Sequence, residues 1–77
     1  MNYAVTCVYS DESISATYLF ESEEKAKDFI TDNYLTMIKE HQPCMHILWD
    51  DRAKARIIDL NEGINFQAEY FLSRIYG

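Results

Sequence analysis

The stretch between Ser22 and Pro43 constrains this chain more than any other, because its pattern fits one amphipathic helix and little else. Ser22 is a natural N-cap, and Glu23 and Glu24 suit the positive end of a helix dipole. Ala26, Phe29, Ile30, Tyr34, Met37 and Ile38 then recur at helical spacing and fill one arc. Lys39 and His41 favour the negative end, and Pro43 cannot continue the helix. The predicted helix covers 23–40. A lone amphipathic helix must bury its apolar stripe against something, so the flanking segments decide the fold.

Those flanks alternate with a period of two. Tyr3, Val5, Cys7 and Tyr9 fall on one side of a strand over 2–10, with Asn2, Ala4, Thr6, Val8 and Ser10 on the other. After a polar turn at Asp11-Glu12, Ile14, Ala16, Tyr18 and Phe20 alternate with Ser13, Ser15, Thr17 and Leu19, which completes a hairpin. Beyond Pro43, Met45, Ile47 and Trp49 alternate with Cys44, His46 and Leu48. Asp50-Asp51-Arg52 makes a turn, and 53–60 reads as a fourth strand around Ile57-Ile58. Asn61-Glu62-Gly63 break it. Ile64, Ala68, Phe71, Leu72 and Ile75 recur at i, i+4, i+7, i+8 and i+11, which predicts a second helix. The expectation is an α+β fold of order ββα-ββα. It has a four-stranded, mainly antiparallel sheet with both helices on one face, and a second face along Ala4, Thr6, Val8, Ser15 and Thr17 that is partly solvated.

Seventy-seven residues make one compact domain spanning 1–77, near the lower size limit for a single core. Eleven aromatic residues, two glycines and one proline argue for a packed core over disorder. No apolar run approaches the ~20 residues of a membrane span. Met1 to Val5 contain no basic region or signal-peptide core, so the expected setting is the cytoplasm of a host cell. Cys7 and Cys44 read as buried free thiols of a reducing compartment.

The net charge of −6 disfavours direct contact with nucleic acid or an anionic membrane and points to a basic protein partner. The acids are uneven: residues 1–40 hold eight acids and three bases, and residues 41–77 hold five and four. Glu24, Asp28 and Asp32 recur every four residues and form one ridge, rising ~6 Å per step. Leu35 shares their arc, away from the core stripe. The ridge is either a solvated face or a partner contact with Leu35 as its apolar anchor. Phe66 and Tyr70 fall opposite the apolar face of the predicted second helix. They are an exposed aromatic pair if that helix begins at Ile64. If it starts after Asn65, Phe66 tucks into the core. Asp11-Glu12 and Asp50-Asp51 are acidic hairpin tips without the oxygen-ligand spacing of a calcium loop. His41, Cys44 and His46 match no common zinc module. No phosphate-binding glycine loop or nucleophile elbow is present, so neither cofactor nor catalytic residue is expected.

In size, acidity, the Glu24/Asp28/Asp32 row, the tips Asp11-Glu12 and Asp50-Asp51, and the strand-rich ββα layout, the chain resembles the small anti-CRISPR proteins of phages and mobile elements. That resemblance implies a non-enzymatic inhibitor that binds a CRISPR effector nuclease. Some proteins of the class occlude a basic channel for guide, target or PAM duplex. Others lock a domain or bridge copies of it. The contact set expected here is Glu24, Asp28, Asp32, Leu35, the two tips, Phe66 and Tyr70. The alternatives are a self-associating assembly protein, possible as a homodimer through the second helix or an open sheet edge, and an antitoxin-like regulator of a basic toxin.

Overall fold

The computed structural model describes residues 2–10, 15–60 and 66–75. In chain order the elements are β1 (Tyr3–Tyr9), β2 (Ala16–Phe20), α1 (Glu23–His41), β3 (Met45–Trp49), β4 (Lys54–Asp59) and β5 (Phe66–Arg74). The strands form one sheet in the order β2-β1-β5-β4-β3, with every neighbouring pair antiparallel.

The helix forms where its signals place it. The Ser22 side chain accepts a hydrogen bond from the Lys25 N–H at 3.1 Å, which satisfies one of the orphan donors of the first turn. At the other end Gln42 adopts a left-handed conformation, φ 46°, and its N–H returns to the Ile38 carbonyl. Pro43 then ends any continuation. Ala26, Ile30 and Tyr34 form the buried stripe of α1 and meet Val5, Cys7, Ala55, Ile57, Ala68 and Tyr70 of the sheet in one core.

The ββα-ββα order is not what the chain adopts. Among the described residues there are five strands and one helix, and the segment expected as a second helix is β5. It lies at the centre of the sheet, paired with β1 on one side and β4 on the other. The physical reason is visible in its own residues. Phe66, Ala68, Tyr70 and Leu72 alternate with Gln67, Glu69, Phe71 and Ser73. As a strand, the segment sends the first set towards α1 and, Phe71 apart, presents polar groups on the other face. As a helix, it would strand Phe66 and Tyr70 on the wrong side. Without β5 the β1–β2 and β3–β4 hairpins share no strand neighbour. The backbone hydrogen bonds of a central strand therefore outweigh a short apolar match to helical spacing.

Helix α1 covers one face only. Among the described residues nothing packs on the other, which carries Thr17 and Leu19 of β2, Thr6 and Val8 of β1, Glu69 and Phe71 of β5, Lys54, Arg56 and Ile58 of β4, and Met45, Ile47 and Trp49 of β3. Ala4, expected on the partly solvated face, is buried.

Candidate partner-binding surfaces

The acidic ridge sits on the exposed arc of α1, but most of it is already engaged. Arg52, in the β3–β4 turn, donates from one guanidinium nitrogen to Glu24 at 2.6 Å and from the other to Asp28 at 3.0 Å. The two carboxylates, Asp28 first and Glu24 second, hold the Arg52 guanidinium even more firmly in its charged form. Beside it, Lys27 lays its aliphatic stem into the core edge and donates to Asp51 at 2.7 Å, with Glu23 at 3.2 Å. The hydrogen bond from Lys27 holds the Asp51 carboxyl below the usual carboxylate range, and Asp51 in turn raises Lys27. Asp50 is 4.0 Å from Lys54.

These pairs depend on an uncommon turn. Asp50, Asp51 and Arg52 are all left-handed, with φ of 55°, 51° and 67°. Ala53 N–H closes the turn on the Asp50 carbonyl at 3.0 Å. Three successive non-glycine residues in that region are each disfavoured. The conformation is what aims Asp51 and Arg52 at the helix. Turn and helix are therefore clasped together by three ion pairs, Lys27 to Asp51 and Arg52 to Glu24 and Asp28, with Glu23 holding Lys27 from within the helix.

Asp32 and Leu35 are the parts of the ridge left over. Asp32 has no ion-pair partner among the described residues, and Leu35 is 56% exposed. Between residues 21 and 52 the sequence holds eight acids and four bases, so this segment carries a net charge of −4 out of the chain's −6.

The aromatic pair is not a surface feature. Tyr70 is 0% exposed, the largest of the fully buried side chains, and its hydroxyl lies 3.5 Å from that of Tyr9. Burial pushes its phenol far above the ordinary tyrosine range. Phe66 is half-buried, stacked between Tyr9 at 6.3 Å and His41 at 5.2 Å. Asp11 and Glu12 lie outside the described residues, as do Asn61 to Asn65.

Of the two thiols only Cys7 is buried. Burial raises its pKa, which makes it unreactive. Cys44 is exposed, contrary to expectation, and its Sγ donates to the Ile58 carbonyl. His46 turns towards the helix, where Nδ1 shares a 2.6 Å hydrogen bond with the Tyr34 hydroxyl. Among the described residues no three His, Cys, Asp or Glu side chains come close enough to hold a metal ion.

The feature that sequence reasoning missed is the β3 end of the uncovered face. Met45 and Ile47 are 61% and 51% exposed, and with Arg56, Ile58, Cys44 and His46 they line a concavity of about 440 Å³. Trp49 lies on the same face at the far end of β3. A signal was present: with His46 and Leu48 turned to the helix side, the opposite row of β3 is Met45, Ile47 and Trp49, wholly apolar, which suits a strand covered on both sides. No helix among the described residues is long and apolar enough to cross a membrane. No protein-family model, curated protein or solved structure matches the chain.

Proposed function

We propose that this chain is a non-enzymatic binding protein that inhibits a nucleic-acid-handling enzyme by laying its helix side on a basic surface of that enzyme. A CRISPR effector nuclease is the instance implied by the resemblance to anti-CRISPR proteins. The observation that supports this reading is the pairing of charge and apolar anchor on one exposed arc. Asp32 and Leu35 stand side by side on α1, within the 21–52 segment that holds eight acids against four bases. An apolar residue inside a charged rim is the usual anatomy of a contact. The role of Glu24 and Asp28 becomes indirect in this reading: with Arg52 they fix the turn that carries Asp50 and Asp51.

The test is a cleavage assay on a panel of RNA-guided nucleases with the purified chain added. The combined variant Asp32→Lys, Leu35→Glu leaves the Arg52 clasp intact. It should relieve inhibition, and inhibition by the unaltered chain should weaken as salt rises, because exposed charges are screened over ~8–10 Å. Undiminished inhibition by the double variant would remove the helix side from the mechanism.

A second reading, a self-associating assembly protein, is favoured by a different observation: the apolar, uncovered sheet face around Met45, Ile47 and Trp49. The two readings use opposite faces of the molecule, so one chain can satisfy both.

A further inference from the structure

The geometry points to a second copy of this chain as the occupant of the free edge of β3, paired antiparallel about a two-fold axis through Ile47 so that the two sheets become one. This rests on the assembly reading above and is independent of the inhibitor reading.

Strand β3 is the outermost strand on its side of the sheet. Every second residue of an edge strand turns its N–H and C=O away from its one neighbour, which leaves a template for another strand. Such edges are ordinarily blunted by lysine, proline or inward charge, and Met45–Trp49 contains none of these. A strand paired antiparallel with its own copy is self-complementary by symmetry, as an isologous contact requires.

The side chains select the register. With Ile47 on the axis, each Met45 lies opposite the Trp49 of the other copy, and the two Ile47 side chains meet. All six project on the uncovered face, because residues two apart share a face. The concavity at the Met45 end, walled by Ile47, Ile58 and the Arg56 stem, is then where the indole of the opposing Trp49 arrives. Arg56 is held at 3.1 Å by Glu69, which leaves its guanidinium plane available to the ring. Groove and knob are thus at the two ends of one strand, and a two-fold axis brings them together twice. The other edge, β2, offers no such match. Tyr18 and Phe20 are committed to Phe29 of α1 at 4.9 and 5.1 Å, and only Thr17 and Leu19 face outward on the open side.

Each copy carries a net charge of −6, so approach is opposed by like charge and added salt should strengthen the dimer. Binding through the acidic helix side should weaken under the same change, which separates the failure of one reading from the failure of the other.

The experiment uses the full chain in a Cys44→Ser background, with Cys7 buried and inert. Cα atoms opposite each other in an antiparallel pair lie ~4.5–5.5 Å apart, within the ~4.4–6.8 Å a disulfide spans. Ile47→Cys should therefore cross-link to a covalent dimer under mild oxidation. At about 0.1 mM protein it should do so at least about tenfold faster than Leu19→Cys on the β2 edge, because pairing holds the thiols at a millimolar effective concentration. Light scattering of the unaltered chain should give a dimer mass, and Ile47→Lys should give a monomer with an unchanged circular dichroism spectrum. Equal cross-linking at positions 47 and 19, or a monomer mass for the unaltered chain at that concentration in high salt, would overturn the proposal.

Discussion

Replacing Tyr70 with alanine should bring the domain to the edge of unfolding. Tyr70 lies in the central strand, opposite Cys7 of β1 and Ala55 of β4, two small residues that leave room for its ring. It is fully buried. Removing a buried aromatic side chain costs about 3–5 kcal/mol, the lost transfer energy plus that of the cavity left behind. A chain of 77 residues has in total about 4–12 kcal/mol, at roughly 0.05–0.15 kcal/mol per residue. The substitution therefore removes between a quarter and all of the stability. Tyr70→Phe keeps the ring and loses only a hydroxyl whose partner, the half-buried Tyr9 hydroxyl, lies 3.5 Å away and can turn to water. Its cost should stay below about 1 kcal/mol. Urea unfolding, followed by the fluorescence of the single tryptophan and by circular dichroism, measures both. A loss of less than about 1 kcal/mol for Tyr70→Ala would place the ring at the surface. That result would refute both the buried position of Tyr70 and the strand assignment of β5 that requires it.

Three further outcomes follow from the same structure. Burial raises the pKa of Tyr70 and of Cys7, so both stay protonated in the folded chain above the pH at which they ionise when unfolded. Both contributions are fully present below the unfolded-state values of roughly 8.5 for the thiol and 10 for the phenol, and are lost as pH rises past them. Unfolding free energy should fall steeply above about pH 9, with a shallower fall in Tyr70→Phe. On the acid side, Lys27 depresses Asp51. The stability from that pair is present above roughly pH 4 and is lost as pH falls through the lowered folded value. Asp51→Asn should thus lower the melting temperature at neutral pH and leave it unchanged near pH 2, and the neutral-pH deficit should shrink in about 1 M salt. Gln42→Gly should raise stability by about 0.5–1 kcal/mol, read by the same urea titration, because glycine carries no steric penalty at the left-handed residue that closes α1.

Helix α1 and the first four strands were legible because their signals are local: a capping serine, a terminating proline, and alternation within five to seven residues. The last strand was not, since Ile64, Ala68, Phe71, Leu72 and Ile75 match a helical period as well as Phe66, Ala68, Tyr70 and Leu72 match a strand period. Phe66 and Tyr70, which the helical reading had to leave exposed, were the residues that distinguished the two. The ridge at Glu24, Asp28 and Asp32 was legible as an arc. Its neutralisation by Arg52 was not, because that contact crosses 24 to 28 residues and depends on three left-handed residues that no local pattern announces. The exposure of Met45 and Ile47 was hidden for a related reason. The apolar row Met45, Ile47 and Trp49 on β3 implies a cover, and sequence alone does not say whether this chain supplies it.

The central place of β5 has a consequence for how the protein comes into being. The five strands are synthesised in the order β1 to β5, yet the sheet runs β2-β1-β5-β4-β3. A nascent chain that has emerged as far as Asp59 can form two hairpins and a helix, but the strand that joins the hairpins has not been made. Until it arrives, β1 and β4 each present a bare edge, a state in which pairing with another chain competes with folding. The joining contacts, such as Cys7 with Tyr70 and Tyr3 with Arg74, span more than sixty residues, so assembly of the sheet is a late and slow event. Whatever meets the ribosome-bound chain before that moment encounters two separate halves of this sheet.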